Sequence, residues 1–389
     1  MNAACLRAEI DLAAIEHNIR VLRSFAPAGC KLCPAVKADA YGHGIRLILP
    51  ALRRAGADML GVAAIREALE LRELAYNGPI LLFGTELNAW RGPQRDDTAR
   101  WLVEHDVRVT VTSAADLDDL AAAARALRRP ARLHFKLDSG MSRMGIHEEP
   151  LLELMQVAGR TDGLVIEGLY THFATADDDK AFARQQLDRF LAFVQQVRTA
   201  GLSVPVVHAA NSAAIIDVPG SHLDMIRPGI SLYGYHTGPD MVHRPDLRPS
   251  LRLVTQLTLV KEIPAGSRVG YGGTFQTRQE SLVGLVPVGY ADGYSRHLSG
   301  RGQMRVAGRL VPVIGRVSMD QTIVDLTALQ RDGVSVSAGD PVVIIDNDRD
   351  APNSVESLAL MLGTIPYEIT TRLGNRIERV AAQPKANGV

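Results

Sequence analysis

Pro34-Ala35-Val36-Lys37-Ala38-Asp39-Ala40-Tyr41-Gly42-His43-Gly44 (PAVKADAYGHG) places one lysine at the end of an apolar run, immediately before a glycine-rich turn. The run reads as the first of a series of short β-rich stretches: residues 33–39, 59–64, 79–84, 108–113, 132–138, 164–173, 206–212 and 224–234. Between them lie IRLILPALRRAGA, DDTARWLVEHD, AADLDDLAAAARALRR, EPLLELMQVAGR and KAFARQQLDRFLAFVQQVRTAG, each with apolar residues at helical spacing. Strands alternating with helices predict a parallel sheet with helical crossovers. Eight of them, over roughly 235 residues, are the number and length that close a (β/α)₈ TIM-like barrel. An open doubly wound sheet is the alternative, but no G-x-G-x-x-G opens the first strand-to-helix turn.

Outside this region the texture changes. DLAAIEHNIRVLRSF, residues 11–25, predicts an amphipathic helix ahead of the first strand. Beyond the Pro- and His-rich HTGPDMVHRPDLRP come LRLVTQLTLVKEI, SLVGLVPVGYADGYSR, QMRVAGRLVPVIGRV, QTIVDL and DPVVIIDN, rich in Val, Thr and Gly, which predict a mostly β second domain. The expected division is residues 8–240 for the barrel and 241–389, with residues 1–7, for the β domain. The polar tail AAQPKANGV is expected to fray.

Composition narrows the function. The 389 residues are 46% hydrophobic and 22% charged, the balance of an ordinary globular protein. Lys plus Arg equals Asp plus Glu at 43 each, so the chain lacks the basic footprint of a nucleic-acid or anionic-membrane binder, and a small molecule is the expected partner. The start carries no basic n-region followed by an apolar h-region, and no run of about 18 apolar residues follows. A cytoplasmic location is expected. Cys5, Cys30 and Cys33 are too few for a disulfide framework, and the single C-x-x-C cannot close a zinc site; strand-entry packing is the expected role and no metal is expected.

In a barrel of this kind the active site forms at the carboxyl ends of the strands. Lys37 ends strand one and Tyr41 follows it, Arg143 follows strand five, His172 ends strand six, Ser212 ends strand seven, and Arg227 with Gly229 lies in strand eight. A lysine at a strand end is usually only solvated, and a lone histidine usually packs in a core. Six polar residues at one rim are a set. A lysine with its stem in an apolar strand can lose its proton through desolvation, which suits Schiff-base chemistry and proton transfer. NSAA and RPGI offer a hydroxyl and backbone N–H groups of the kind that hold a phosphate. A phosphate-bearing aldehyde facing a lysine is pyridoxal 5'-phosphate.

AVKADAYGHG resembles the cofactor-lysine signature of bacterial alanine racemases. AEIDLAAIEHNI, KLDSGMSRMG, EGLYTHFATAD, HAANSAA, RPGISLYGY, VGYGGTF, VPVGYADGYSR, GRVSMDQTIVDL and GTIPYEI resemble that family's segments in the same order, from about residue 8 to 379. The resemblance implies a fold-type III pyridoxal phosphate barrel, a C-terminal β domain and a head-to-tail homodimer that interconverts L- and D-alanine and supplies D-alanine for peptidoglycan.

Lys37 would then hold the cofactor covalently and exchange the α-proton on the D face. Tyr271 of a second copy would act on the opposite face, because racemisation needs an acid–base group on each side. A phenol, with a reference pKa of about 10, is a poor base at neutral pH, so His172 beside Arg227 would assist it. Arg227 would also face the pyridine nitrogen and, keeping its own proton, leave that nitrogen unprotonated. Tyr41, Ser212, Gly229, Ile230 and Tyr367 match the phosphate contacts. Arg143 matches the residue for the phenolic oxygen and the substrate carboxylate, joined there by Met319 and Asp320 of the other copy. Lys136 aligns with a lysine that is carbamylated in several members.

The entrance would be lined by Tyr271, Tyr290 and Tyr367, with Asp177, Arg296, Arg316 and Ile365 further out. The ending YEITTRLGNRIERV lacks the family's Arg-Val-Pro-Arg. Three other readings stand beside this one. A serine or broader amino-acid racemase would share the mechanism. A barrel decarboxylase would need an acidic partner at the pyridine nitrogen and a late cysteine. A non-catalytic carrier of the cofactor would resemble the barrel alone.

Overall fold

The computed structural model describes residues 5–238 and 240–383, so the last six residues of the tail expected to fray, like Pro239 in the Pro- and His-rich connection, lie outside the described ones. The chain begins with β1 (Arg7–Ile10) and then a helix, Leu12–Arg23, whose first turn is capped by Asp11 accepting from the Ala14 N–H at 2.9 Å. Ala14, Ile15, Ile19 and Leu22 form its buried face. Asn18, buried on the same face, donates to the carbonyls of Leu232 and Arg248 and so ties the helix to the far end of the barrel.

Eight parallel strands follow: β2 (Lys31–Leu32), β3 (Leu60–Val62), β4 (Ile80–Leu82), β5 (Val107–Val111), β6 (Ala131–Lys136), β7 (Leu164–Tyr170), β8 (Val206–His208) and β9 (Met225–Ile226). Strands β3 to β8 pair in sequence order, and β9 pairs with β2. Backbone bonds close the remaining gaps. Asp58 N–H donates to Leu32 O and Val36 N–H to Gly61 O; on the other side Asp224 N–H donates to Val207 O and Arg227 N–H to Ala210 O. The ring is a (β/α)₈ barrel, and its crossover helices include Ile45–Arg54, Ile65–Glu73, Pro93–Glu104, Ala114–Leu127, Glu148–Gly159 and Lys180–Thr199. Completely buried Leu60, Ile80, Leu133, Phe135 and Leu169 drive closure, each burial of such a side chain contributing about 1.5–3 kcal/mol.

The second domain is mostly β, as expected. Its strands are β10 (Leu251–Gln256), β11 (Leu259–Ile263), β12 (Arg268–Val269), β13 (Phe275–Gln276), β14 (Ser281–Val286), β15 (Gln303–Val306), β16 (Arg309–Ile314), β17 (Thr322–Asp325), β18 (Pro341–Ile345) and β19 (Glu378–Ala381). The main sheet runs β11-β14-β17-β16-β15-β18-β10-β1-β19. Strand β1 lies antiparallel to β10 and parallel to β19, so the chain enters this sheet before it enters the barrel.

Several barrel strands are shorter than their apolar runs suggest. Lys37 does not end a strand: after β2 the backbone turns, and Ala38, Asp39, Ala40 and Tyr41 all take φ between 50° and 55°. His172 lies two residues beyond β7. Ser212 begins a short helix, Ser212–Asp217, and Arg227 directly follows β9. Barrel strands pair only near their middles, and the residues past the last ladder bond are free to turn toward the mouth.

The left-handed turn is costly, about 1–2 kcal/mol per L-residue, and neighbours hold it. Glu67 accepts from the Ala38 N–H at 2.6 Å and from Ala63 and Ala64; Asp39 accepts from the Ile45 N–H at 2.7 Å. From the second domain the helix Pro366–Thr371 presses on Gly42, where a Cβ would lie 2.1 Å from the Thr370 carbonyl oxygen and φ is +82°. Gly42→Ala is therefore expected to lower unfolding free energy by about 2–4 kcal/mol, read as a lower urea midpoint at unchanged m-value. An unaltered midpoint would mean that the turn and this helix are not docked.

Candidate active site

The carboxyl-terminal mouth of the barrel opens on a cavity of about 440 Å³. Its walls include Lys37, Tyr41, Lys136, Arg143, Tyr170, His172, Ser212, Arg227, Gly229 and Tyr367. Each arrives by a different local device. The left-handed turn presents Lys37 and buries Tyr41, whose ring lies 5.1 Å from Tyr233 and 5.9 Å from Tyr367. His43 clamps the turn from beneath through Nδ1 to the Ala40 and Tyr41 carbonyls and stacks on Tyr233 at 4.4 Å. Arg143 rides a loop closed by Asp138, whose Oδ1 accepts from the N–H groups of Gly140, Met141 and Ser142, all at 3.0 Å.

Gly229 makes a cradle. A Cβ there would lie 2.7 Å from the Tyr41 hydroxyl, so only glycine leaves the space between them. Ser212 Oγ accepts from the N–H of Gly229 at 2.8 Å and of Ser231 at 3.2 Å, which keeps its own proton available as a donor. Ile230 is buried behind this corner. Burial pushes both the Tyr41 and Tyr367 phenols up, so both remain neutral donors.

Cations dominate the cavity. Burial, together with Arg143 and against Glu67, holds the Lys37 ammonium below its ordinary range. Lys136, buried under Tyr170 with Nζ 5.7 Å from the ring, is lowered by burial, Arg143 and Arg227 to about 8. Arg227 is buried and donates from Nη2 to the carbonyls of Thr171 (2.8 Å) and Ala209 (3.0 Å), from Nη1 to His208 Nδ1 (2.5 Å), and more distantly from Nη2 to His172 Nδ1 (3.5 Å). Burial and then Arg227 hold His172 well below the usual histidine range. A neutral His172 facing fixed cations is an acceptor, and the surrounding charge suits an anionic ligand.

The second-domain residues lie apart from this group within one chain. Tyr271 sits between Gly270 and Gly272, both at positive φ, with 72% of its surface exposed, and Arg316 packs against that turn. Tyr290 donates its N–H to the Ser318 carbonyl and lies on the same exposed surface as Met319 and Asp320. Arg296 begins a short 3₁₀ helix, and Ile365 is exposed at the N-cap of the helix that carries Tyr367. Asp177 stands near Tyr367.

Four contributors escaped the sequence reading. His43 and Arg379 brace the lysine turn, Arg379 by donating to the carbonyls of Gly42, Leu373, Gly374 and Ile377. His134 and His208 stand behind Arg227. The alternation of polar Arg132, His134 and Lys136 with apolar Leu133 and Phe135 is a signal for an inward-facing His134, but Val206-Val207-His208 carries none. The unusual chain ending places Arg376 on Asp292 and Asp320. Cys30 and Cys33 are free thiols at the other end of the barrel; burial pushes Cys33 up to about 12, which fits packing rather than redox work.

Lys136 supplies a pH test. Its folded pKa of about 8 lies below the ordinary 10.5, so between these values the unfolded chain carries a proton that the folded one has released. Stability from this group therefore climbs with pH across that window and is level below it. In CO₂-free buffer the unfolding free energy of wild type minus Lys136→Met is expected to rise from pH 8 upward. A pH-independent difference would place the amine in solvent.

Comparison with known proteins follows the same two-part division. Residues 10–237 match the model of the alanine racemase N-terminal domain and residues 250–381 that of the alanine racemase C-terminal domain. The chain is 37% identical to alanine racemase 1 of Caldanaerobacter subterraneus over 377 residues, 96% of this chain and 94% of the relative. It is 37% identical to the alanine racemase of Methanococcus maripaludis, over 96% and 97% of the two chains. Among solved structures, the alanine racemase from D-cycloserine-producing Streptomyces lavendulae superposes with a TM-score of 0.89 at 37% identity, covering 99% of this chain and 98% of that one.

Proposed function

From the premise that the chain belongs to the alanine racemase family and is an isomerase that interconverts L- and D-alanine, we propose that it does so with pyridoxal phosphate and two bases, Lys37 and Tyr271 of a second copy. One observation carries this reading: the Lys37 amine, held below its usual range, shares one cavity with the Arg227 guanidinium and with the cradle of Tyr41, Ser212 and Gly229. The donor set fits the cofactor's three polar ends. Tyr41, Ser212, Gly229, Ile230 and Tyr367 would hold the phosphate, Arg227 the ring nitrogen, and Arg143 the phenolic oxygen.

When bound, pyridoxal phosphate draws electron density from the Cα–H bond of the amino acid it holds. Lys37 Nζ moves the α-proton on one face. Tyr271 Oη moves it on the other, with neutral His172 as the acceptor that assists the phenol. Arg143 and the second copy's Met319 N–H and Asp320 orient the carboxylate. Arg227, permanently protonated, keeps the ring nitrogen without a proton of its own. Lys136, partly neutral near pH 8, is the amine that CO₂ converts to a carbamate accepting from Arg143.

The second copy is needed because Tyr271, Tyr290, Met319 and Ile365 expose apolar surface away from their own chain's cavity. In the head-to-tail homodimer they line the partner's entrance with Tyr367, and Asp177, Arg296 and Arg316 stand further out. That narrow mouth favours alanine over serine. Among the described residues no helix is long and apolar enough to cross a membrane. We place the enzyme in the cytoplasm, supplying D-alanine for peptidoglycan.

Purified protein with pyridoxal phosphate is expected to form D-alanine from L-alanine, with L-serine slower by about tenfold or more (1.4 kcal/mol); equal rates would move the main substrate. Lys37→Ala should lose the visible absorbance of the covalently held cofactor, and a retained band would remove Lys37 from this role. Tyr271→Phe should slow α-proton removal from L-alanine more than from D-alanine, and equal slowing would count against two bases. Mixing the impaired variants Lys37→Ala and Tyr271→Phe should restore about a quarter of wild-type activity, since about half of the dimers are then mixed and each mixed dimer carries one intact site of two. No recovery would mean that each copy works alone.

A further inference from the structure

We propose that Glu167, His134 and His208 are positioning residues for Arg227, forming a polarised line through the barrel interior that sets where the arginine's donors point. The proposal rests on the reading that Arg227 faces the cofactor ring nitrogen, and it adds residues from the opposite end of the barrel to that site.

The proton arrangement follows from donor chemistry. Arginine only donates, so its 2.5 Å contact makes His208 Nδ1 an acceptor. The neutral imidazole then carries its proton on Nε2, which at 3.0 Å donates to His134 Nδ1. His134 in turn holds its proton on Nε2, which faces Glu167 Oε1 at 3.6 Å, a charge–dipole contact longer than a hydrogen bond. A carboxylate only accepts. A cation at one end and an anion at the other thus impose the same direction on every proton between them.

Both histidines are completely buried, and burial holds each below the ordinary range, so neither contributes a charge that would break the line. Tyr170 stacks on His208 at 4.8 Å and 5°, while its hydroxyl is fixed to Thr110 at 2.9 Å. Arg108 and Arg132 hold Glu167 as a carboxylate at 3.0 and 3.3 Å.

Two backbone features make room for this line. The β6–β7 register passes from Leu133↔Ile166 to His134↔Gly168, which leaves Glu167 as the extra residue of a bulge. Bulges re-aim side chains, and this one sets the carboxylate beside His134. At Gly168 a Cβ would lie 2.3 Å from the His134 ring, so a larger residue would expel the imidazole. Apolar side chains usually fill the interior of such a barrel, and two neighbouring histidines, their rings tilted by 59°, need partners at both ends there.

The test uses the holoprotein with ¹⁵N-labelled histidine and, separately, cofactor labelled with ¹⁵N at the ring nitrogen. In wild type both imidazoles are expected neutral with the proton on Nε2. Glu167→Gln and His134→Phe are expected to shift the ring-nitrogen resonance in the same direction, His134→Phe more, and to lower kcat for L-alanine by about tenfold or more with KM within about twofold. A His208 protonated on Nδ1 or on both nitrogens would overturn the proposal. So would variants that melt earlier but leave the ring-nitrogen shift and kcat unchanged. Should wild type fail to racemise alanine, the functional reading falls, while the imidazole pattern still decides the line.

Discussion

Four consecutive non-glycine residues, Ala38 to Tyr41, are held in the left-handed region directly after Lys37, and the barrel mouth is organised around keeping them there. Their conformational cost, several kcal/mol in sum, is offset by ligands from three directions. Glu67 comes from the first crossover helix after β3, His43 from the turn itself, and Arg379 with Thr370 from the second domain. The same turn aims the lysine at the cavity and brings the Tyr41 hydroxyl against Gly229. Because its outer brace belongs to the β domain, docking of the two domains and construction of the site are one event.

The electrostatics of the cavity follow from that construction. Lys37, Lys136, Arg143 and Arg227 share its wall, and the nearest structural anions, Glu67 and Asp138, are occupied by backbone N–H groups. The lysines respond with lowered pKa values, Lys136 to about 8. Arg227 keeps its proton and is stabilised by two carbonyls and a histidine. The site is therefore built for a ligand with anionic ends. Under the proposed reading these are a phosphate and a carboxylate, held where an amine whose proton is loosened by burial and a neutral imidazole are available for proton transfer.

The second domain meets the mouth of its own chain's barrel through Tyr367, Thr370 and Arg379, while Tyr271, Tyr290, Met319 and Ile365 are exposed. An exposed phenol flanked by glycines at positive φ gains little structurally from that position, and the proposed reading assigns Tyr271 to the site of a second copy.

Much of this was legible in the sequence. Alternating apolar runs and amphipathic segments determined the eight strands and their helices, since period-2 and period-3.6 burial leaves its mark in the residues themselves. The chemistry-bearing residues of the mouth were recoverable because strand ends are local features, and Lys37, His172, Ser212 and Arg227 each follow one within five residues. What the sequence could not determine is long-range. The left-handed turn depends on Glu67, Thr370 and Arg379, far apart in the chain, and an alanine-rich pentapeptide has no local reason to adopt it. The line from Glu167 to Arg227 depends on a one-residue bulge and on a barrel that closes β9 against β2. Only tertiary structure decided these, because a hydrogen bond across a barrel is set by closure and register rather than by the identity of either residue.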